Sequence, residues 1–158
     1  ELTLILANEM LDAAKVKPKI NPEAALKNGA AMDVWRKMIE AQGGDNNAPL
    51  PVAKEKFEVI ADASGKLLSL DALQVGVSAW RLGAGRQKQG DTLQLGAGIE
   101  IHAKPGDIVK KGQTILTLHT DEAARFDRAR EVLAGAFTIG EENSKVNQLP
   151  LIIERIEG

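Results

Sequence analysis

The chain opens on ELTLILANEMLDAA, where only Asn8, Glu9 and Asp12 interrupt an apolar surface running from Leu2 to Ala14. That pattern predicts a helix enclosed on most of its sides, which needs other structure to be buried in. The expectation is that the chain is the C-terminal fragment of a larger protein; a tight, self-contained helical layer is the alternative. Lys15 to Ile20 read as a connector. Asn21-Pro22-Glu23 then supplies an N-cap, a proline at the first helical position and an acid in the first turn. The short helix that follows to Asn28 is interrupted by Gly29. A further helix, AAMDVWRKMIEAQ, places Ala31, Val34, Trp35, Met38, Ile39 and Gln42 on one face and stops at Gly43-Gly44.

Beyond GGDNNAPLP the pattern changes from helical to extended. Phe57, Val59 and Ala61 alternate with Lys56, Glu58 and Ile60 across 52–61, which predicts a strand turned by Ser64-Gly65. A helix from about Asp71 to Leu82 presents Leu73, Val77 and Trp80 on one face, carries Gly76 in its middle and ends at Gly83. A long loop leads to two strands within IEIHAKPGDIVKKGQTILTLH. DEAARFDRAREVLAGA predicts a helix with Phe126, Ala129, Leu133 and Ala136 as its buried stripe. LIIERI, 151–156, predicts a last strand returning to the sheet. Trp35 and Trp80 read as core residues on apolar helix faces.

Composition narrows the classes. With 20 Lys+Arg against 22 Asp+Glu the net charge is −2, which offers no excess of either sign to recruit nucleic acid or an anionic membrane. The absence of cysteine excludes disulfides and thiolate metal sites and fits a cytoplasmic protein. No basic segment precedes the first apolar run, so it does not read as a signal peptide, and it is too short to span a bilayer. His102 and His119 are the two histidines; neither has a carboxylate at ligand spacing in the sequence, so no metal site is expected.

The segment Gly106 to Gln113, G-D-x-V-x-K-G-Q, resembles the biotinyl and lipoyl domain family, with glycines where tight turns need them. A carrier must also display a lysine at the hairpin tip that follows. Here ILTLH leads into Thr120-Asp121-Glu122 and a helix, with no lysine between Lys111 and Lys145. The carrier reading is kept as an alternative, beside that of a structural module on an unrelated enzyme.

Four blocks in order, LTLILANEML, NGAAMDVWRKMIEAQGGD, WRLGAGRQKQGD and GIEIHAKPGDIVKKGQTILTLH, resemble the thymidine and pyrimidine-nucleoside phosphorylase family over nearly all of the chain. The resemblance implies an α+β fold: N-terminal helices that end a larger α/β domain, followed by a hammerhead-like, barrel-sandwich C-terminal domain. It implies boundaries at 1–45, a linker at 46–51 and a C-terminal domain at 52–158. It also implies phosphorolysis of a pyrimidine nucleoside to free base and pentose 1-phosphate by the full-length enzyme. Phosphate is then the co-substrate, with no further cofactor. The implied partners are the remainder of the polypeptide, a pyrimidine nucleoside, and a second subunit in a homodimer.

The family's Lys-His-Ser-Thr-Gly-Gly type phosphate loop and its base-binding Arg, Ser and Lys have no counterparts in this sequence. Ala63-Ser64-Gly65-Lys66 and Gly83-Ala84-Gly85-Arg86 are too short to replace them. No catalytic residue is therefore assigned, and the chain alone is expected to be inactive. The stretch GAGRQKQGD resembles the loop that, in the family, faces the cleft between lobes and holds the closed form. Gly83, Gly85, Arg86, Lys88 and Asp91 are its candidate residues, weighed against a solvated loop that merely caps a helix.

Overall fold

The computed structural model describes residues 1–86, 88–146 and 150–156. The chain divides into two compact units, one of Glu1–Pro49 with Pro150–Gly158 and one of Leu50–Leu149. Helix and small antiparallel sheets occur together, an α+β architecture.

The first unit contains helices α1 (Leu2–Ala13), α2 (Pro22–Lys27) and α3 (Ala30–Ala41). Asn21 caps α2 as its sequence position predicts, its side-chain oxygen accepting from the amides of Glu23 at 2.9 Å and Ala24 at 3.4 Å. Gly29 breaks the helical path at φ 86°. None of the three helices has a buried residue. Trp35, expected in a core, is 46% exposed, because its apolar face has nothing to pack against among the described residues of this unit. Residues 151–156 form no strand; an apolar, β-branched run favours a strand only where a neighbouring strand offers its edge. Arg155 instead pairs with Glu9 of α1 at 3.1 Å.

The second unit holds β1 (Glu55–Ile60), β2 (Gly65–Leu70), α4 (Ala72–Ala79), β3 (Gly98–Ile101), β4 (Ile108–Val109), β5 (Thr114–Thr120), α5 (Arg125–Leu133) and β6 (Phe137–Gly140). One antiparallel sheet has the order β1-β5-β3 and the other β4-β2-β6. A single core draws on both: Leu67 and Val109 from the second sheet, Ile115, Leu116 and Leu118 from β5, Ala129 and Leu133 from α5, and Leu82. The stripe Phe126, Ala129, Leu133 and Ala136 packs inward, although the helix ends at Leu133 and Ala136 lies beyond the turn at Gly135. Gly106 and Gly112 take positive φ, as the two turns flanking β4 require.

Two expectations differ. Strand β2 occupies a stretch whose sequence gives no alternation, because a register shift between Leu67 and Ser69 against β6 interrupts the two-residue period. The inward face of α4 and its last turn is made by Val75, Ser78 and Leu82. Leu73 is 77% exposed and Trp80 38% exposed, so neither is core. No helix among the described residues is long and apolar enough to cross a membrane.

Candidate functional site

Helix α4 is capped by Asp71, which accepts from the Gln74 amide at 2.9 Å, and ends in one wider π turn, Trp80–Ala84. Gly83 terminates it with φ 112°, a conformation that L side chains rarely adopt. From there the chain leaves as the loop to Asp91. Gly85 has ordinary extended angles, φ −133° and ψ 153°, so conformational freedom is not what its position demands. A Cβ there would stand 2.5 Å from Cδ1 of Trp80, a rigid ring atom. The missing side chain thus admits the indole, whose Nε1 donates to the Arg86 carbonyl at 3.0 Å. Trp80 is in this way a support for the loop.

Of the remaining loop residues, Arg86 is exposed and forms no ion pair with the described residues. The Lys88 amide donates to Asp91 Oδ2 at 3.0 Å, and the Asp91 amide returns to the Lys88 carbonyl at 3.3 Å, which ties a small turn around Gly90. Gln87 lies outside the described residues. A polar pocket of about 400 Å³ beside the turn is lined by Gly85, Lys88, Asp91, Thr92 and Arg125.

Both ends of the loop are anchored by a residue that sequence patterns do not single out. The backbone amide of Gln94 donates to the Gly83 carbonyl at 3.1 Å. Its side-chain Oε1 accepts from the Asp121 amide at 2.8 Å, and its Nε2 donates to Glu122 Oε1 at 2.6 Å. These two contacts fix the orientation of the side-chain amide, since the flipped form would set donor on donor and oxygen on carboxylate. The buried Thr120 hydroxyl shares its one proton between the Leu82 carbonyl at 2.8 Å and Gln94 Oε1 at 2.9 Å. Arg125 completes the chain by donating to Glu122 Oε1 at 3.0 Å.

A second polar cluster lies on the sheet β1-β5-β3. Glu100 Oε2 stands 3.5 Å from His119 Nε2 and 3.8 Å from His102 Nε2, while His102 Nε2 is 2.7 Å from Thr117 Oγ1. Strand pairing brings His119 to Glu100, a partner that spacing along the sequence does not reveal, whereas His102 follows Glu100 by two residues in the same segment. His119 lies in β5 and is partly buried, whereas His102, one residue beyond β3, is exposed. No group of three or more His, Asp or Glu among the described residues is arranged to hold a metal ion. At the position of a carrier hairpin, β5 passes through Thr120 and Asp121 into α5.

Residues 67–140 match the model of the pyrimidine nucleoside phosphorylase C-terminal domain. A thymidine phosphorylase of Mycobacterium tuberculosis is 45% identical over 156 residues, covering 99% of this chain and 36% of that protein. Pyrimidine-nucleoside phosphorylases of Staphylococcus haemolyticus and Bacillus subtilis are 35% and 31% identical, over 85% and 87% of this chain and 33% of each relative. The chain spans about a third of the length of the curated relatives it matches. By that domain, and by relatives that run along nearly all of its residues, the chain belongs to the thymidine and pyrimidine-nucleoside phosphorylase family.

Proposed function

We propose that the chain is the C-terminal part of a pyrimidine-nucleoside phosphorylase, a pentosyltransferase that uses inorganic phosphate to convert a nucleoside to free base and pentose 1-phosphate. In this reading residues 1–45 end the large α/β domain, 46–51 are the linker and 52–158 form a hammerhead-like domain of barrel-sandwich type. The full-length enzyme is a cytoplasmic homodimer that needs phosphate and no other cofactor. The observation that carries the reading is the domain match over 67–140, supported by relatives named for this activity.

The contribution of this chain is closure. Phosphorolysis passes through an oxocarbenium-like transition state, which must be kept from water and held between the attacking phosphate and the departing base. The Gly83–Asp91 loop is built for such a role, with its base pinned by Gln94 and Thr120 and an exposed guanidinium extended by Arg86 at its tip. A guanidinium makes directional contacts across a closing interface that a shorter side chain cannot. Catalytic groups are supplied by the rest of the polypeptide, and the isolated chain is inactive.

Arg86→Ala in the full-length enzyme tests this. The bond from Trp80 goes to the Arg86 carbonyl, so the loop's resting conformation survives the truncation. Loss of one charge-assisted contact made only on closure costs on the order of 1.5 to 3 kcal/mol, roughly ten- to a hundredfold in kcat/KM. The melting temperature stays within error of wild type, as expected for an exposed arginine. Unchanged kinetics would reduce the loop to a helix cap and connector; a parallel loss of melting temperature and activity would place Arg86 in the fold.

A further inference from the structure

We infer that the side-chain amide of Gln94 is the positioning group of the Gly83–Asp91 loop, locking the hinge at Leu82-Gly83 to the turn that starts α5. The inference takes its functional meaning from the closure reading, but its geometry stands apart from it. Two segments distant in sequence meet at Gln94: the end of the π turn, whose Gly83 carbonyl accepts from its backbone amide, and Thr120 to Glu122 at the end of β5, which its side-chain amide holds. Oε1 satisfies the Asp121 amide and shares the Thr120 proton with the Leu82 carbonyl, so it registers the hinge against β5. Nε2 reaches the Glu122 carboxylate at 2.6 Å, which the guanidinium of Arg125 also holds. Arg125 in turn lines the polar pocket beside Lys88 and Asp91, under the far side of the loop.

Steric fit at Gly83 makes the lock tight. A Cβ on that residue would lie 2.8 Å from Gln94 Cδ, and this side chain has little freedom to yield because both its polar atoms are engaged. Gln94 acts through the hinge that carries Gly85 and Arg86 onto Trp80. A loop held at both feet swings as a body about Gly83, where an unpinned one samples many positions and closes less often.

The donor and acceptor pattern allows a test that separates positioning from mere packing. In a Trp35→Phe background of the 158-residue chain, Trp80 is the only indole and reports the loop directly. Q94E keeps the size of the side chain and its acceptor toward Asp121, but sets a carboxylate against Glu122 where a donor stood. We expect red-shifted Trp80 emission and at least about tenfold faster hydrogen exchange at the backbone amide of position 94, with the amides of Leu116 and Leu118 unaffected. Q94E/E122Q exchanges donor for acceptor across the same contact, with Arg125 moving from the shared Oε1 position to the remaining oxygen of residue 122, and restores both readouts.

Unaltered emission and exchange in Q94E would overturn the inference. So would a double variant no better than the single one, or equal loss of protection at Leu116 and Leu118, which would make Gln94 a support of the whole fold. If Q94E frees the loop while turnover of the full-length enzyme is unchanged, the positioning role stands and the closure reading fails.

Discussion

Glu122 receives two donors on one oxygen, Oε1, from Arg125 at 3.0 Å and Gln94 at 2.6 Å. The hydrogen bond from Arg125 is the main reason its carboxyl is held below the usual range; desolvation opposes the shift, and the charge of Arg125 and the Gln94 bond add to it. A carboxyl with a lowered pKa in the folded state stabilises the fold wherever it is ionised in both states. That contribution is complete above the ordinary carboxylate pKa and is lost as pH falls through the lower, folded value. E122Q should therefore lower the urea midpoint relative to wild type at pH 7, and the two midpoints should converge as pH falls below about 4. A difference that persists unchanged at the acid end would remove Glu122 ionisation from the account. None of this was legible in the sequence. Gln94 sits in a loop with no periodicity, and its side-chain partners lie 26 to 28 residues away, so only the fold brings them together.

Elements were legible where one face is buried and the period is intact. The alternation that predicts β1 is the burial pattern of Phe57 and Val59, and the stripe predicted for α5 packs inward as read. Legibility failed at β2, where the register shift against β6 falls between Leu67 and Ser69, and in α4, where Leu73 and Trp80 are exposed while Val75, Ser78 and Leu82 pack. What fixes β2 is steric. Gly65 opens it at φ 154°, and a Cβ there would overlap the Gly140 carbonyl oxygen of the neighbouring strand β6, a backbone atom that cannot turn aside. Gly112 has φ 84° but open space around the same position, so alanine there meets backbone strain alone. Gly65→Ala should cost at least about 2 kcal/mol, combining strain with overpacking, against about 1 kcal/mol for Gly112→Ala. Urea unfolding of the two variants checks the order. Equal costs would mean that β6 shifts to make room and that the contact does not set the register.

At the scale of the molecule, the two units differ in what they bury. Unit Leu50–Leu149 closes around Leu67, Leu82, Ile115, Leu116 and Leu118, each fully buried. No residue of the helices of the other unit is fully buried, and Leu6, Met10, Leu26, Val34 and Trp35 are exposed along them. Burial at about 25 cal/mol per Å² of apolar surface is what offsets the entropy of ordering a chain, and three helices without a core forgo most of it. The apolar first helix made this legible from the sequence, since its composition asks for an enclosure that the described helices of its own unit do not supply. Two outcomes are expected of the purified 158-residue chain. Amides of α1 and α3 should exchange at least about a hundredfold faster than those of Leu116 and Leu118 in β5, because their opening exposes little surface that was not already wet. The exposed apolar residues should also drive concentration-dependent self-association, seen as a rising mass by light scattering. Adding the remaining polypeptide of a full-length enzyme should abolish the association and protect α1 to the level of β5. A chain that stays monomeric at millimolar concentration with α1 protected would show that the helical unit is stable by itself, and the expectation that it is completed by other parts of the same protein would have to be given up.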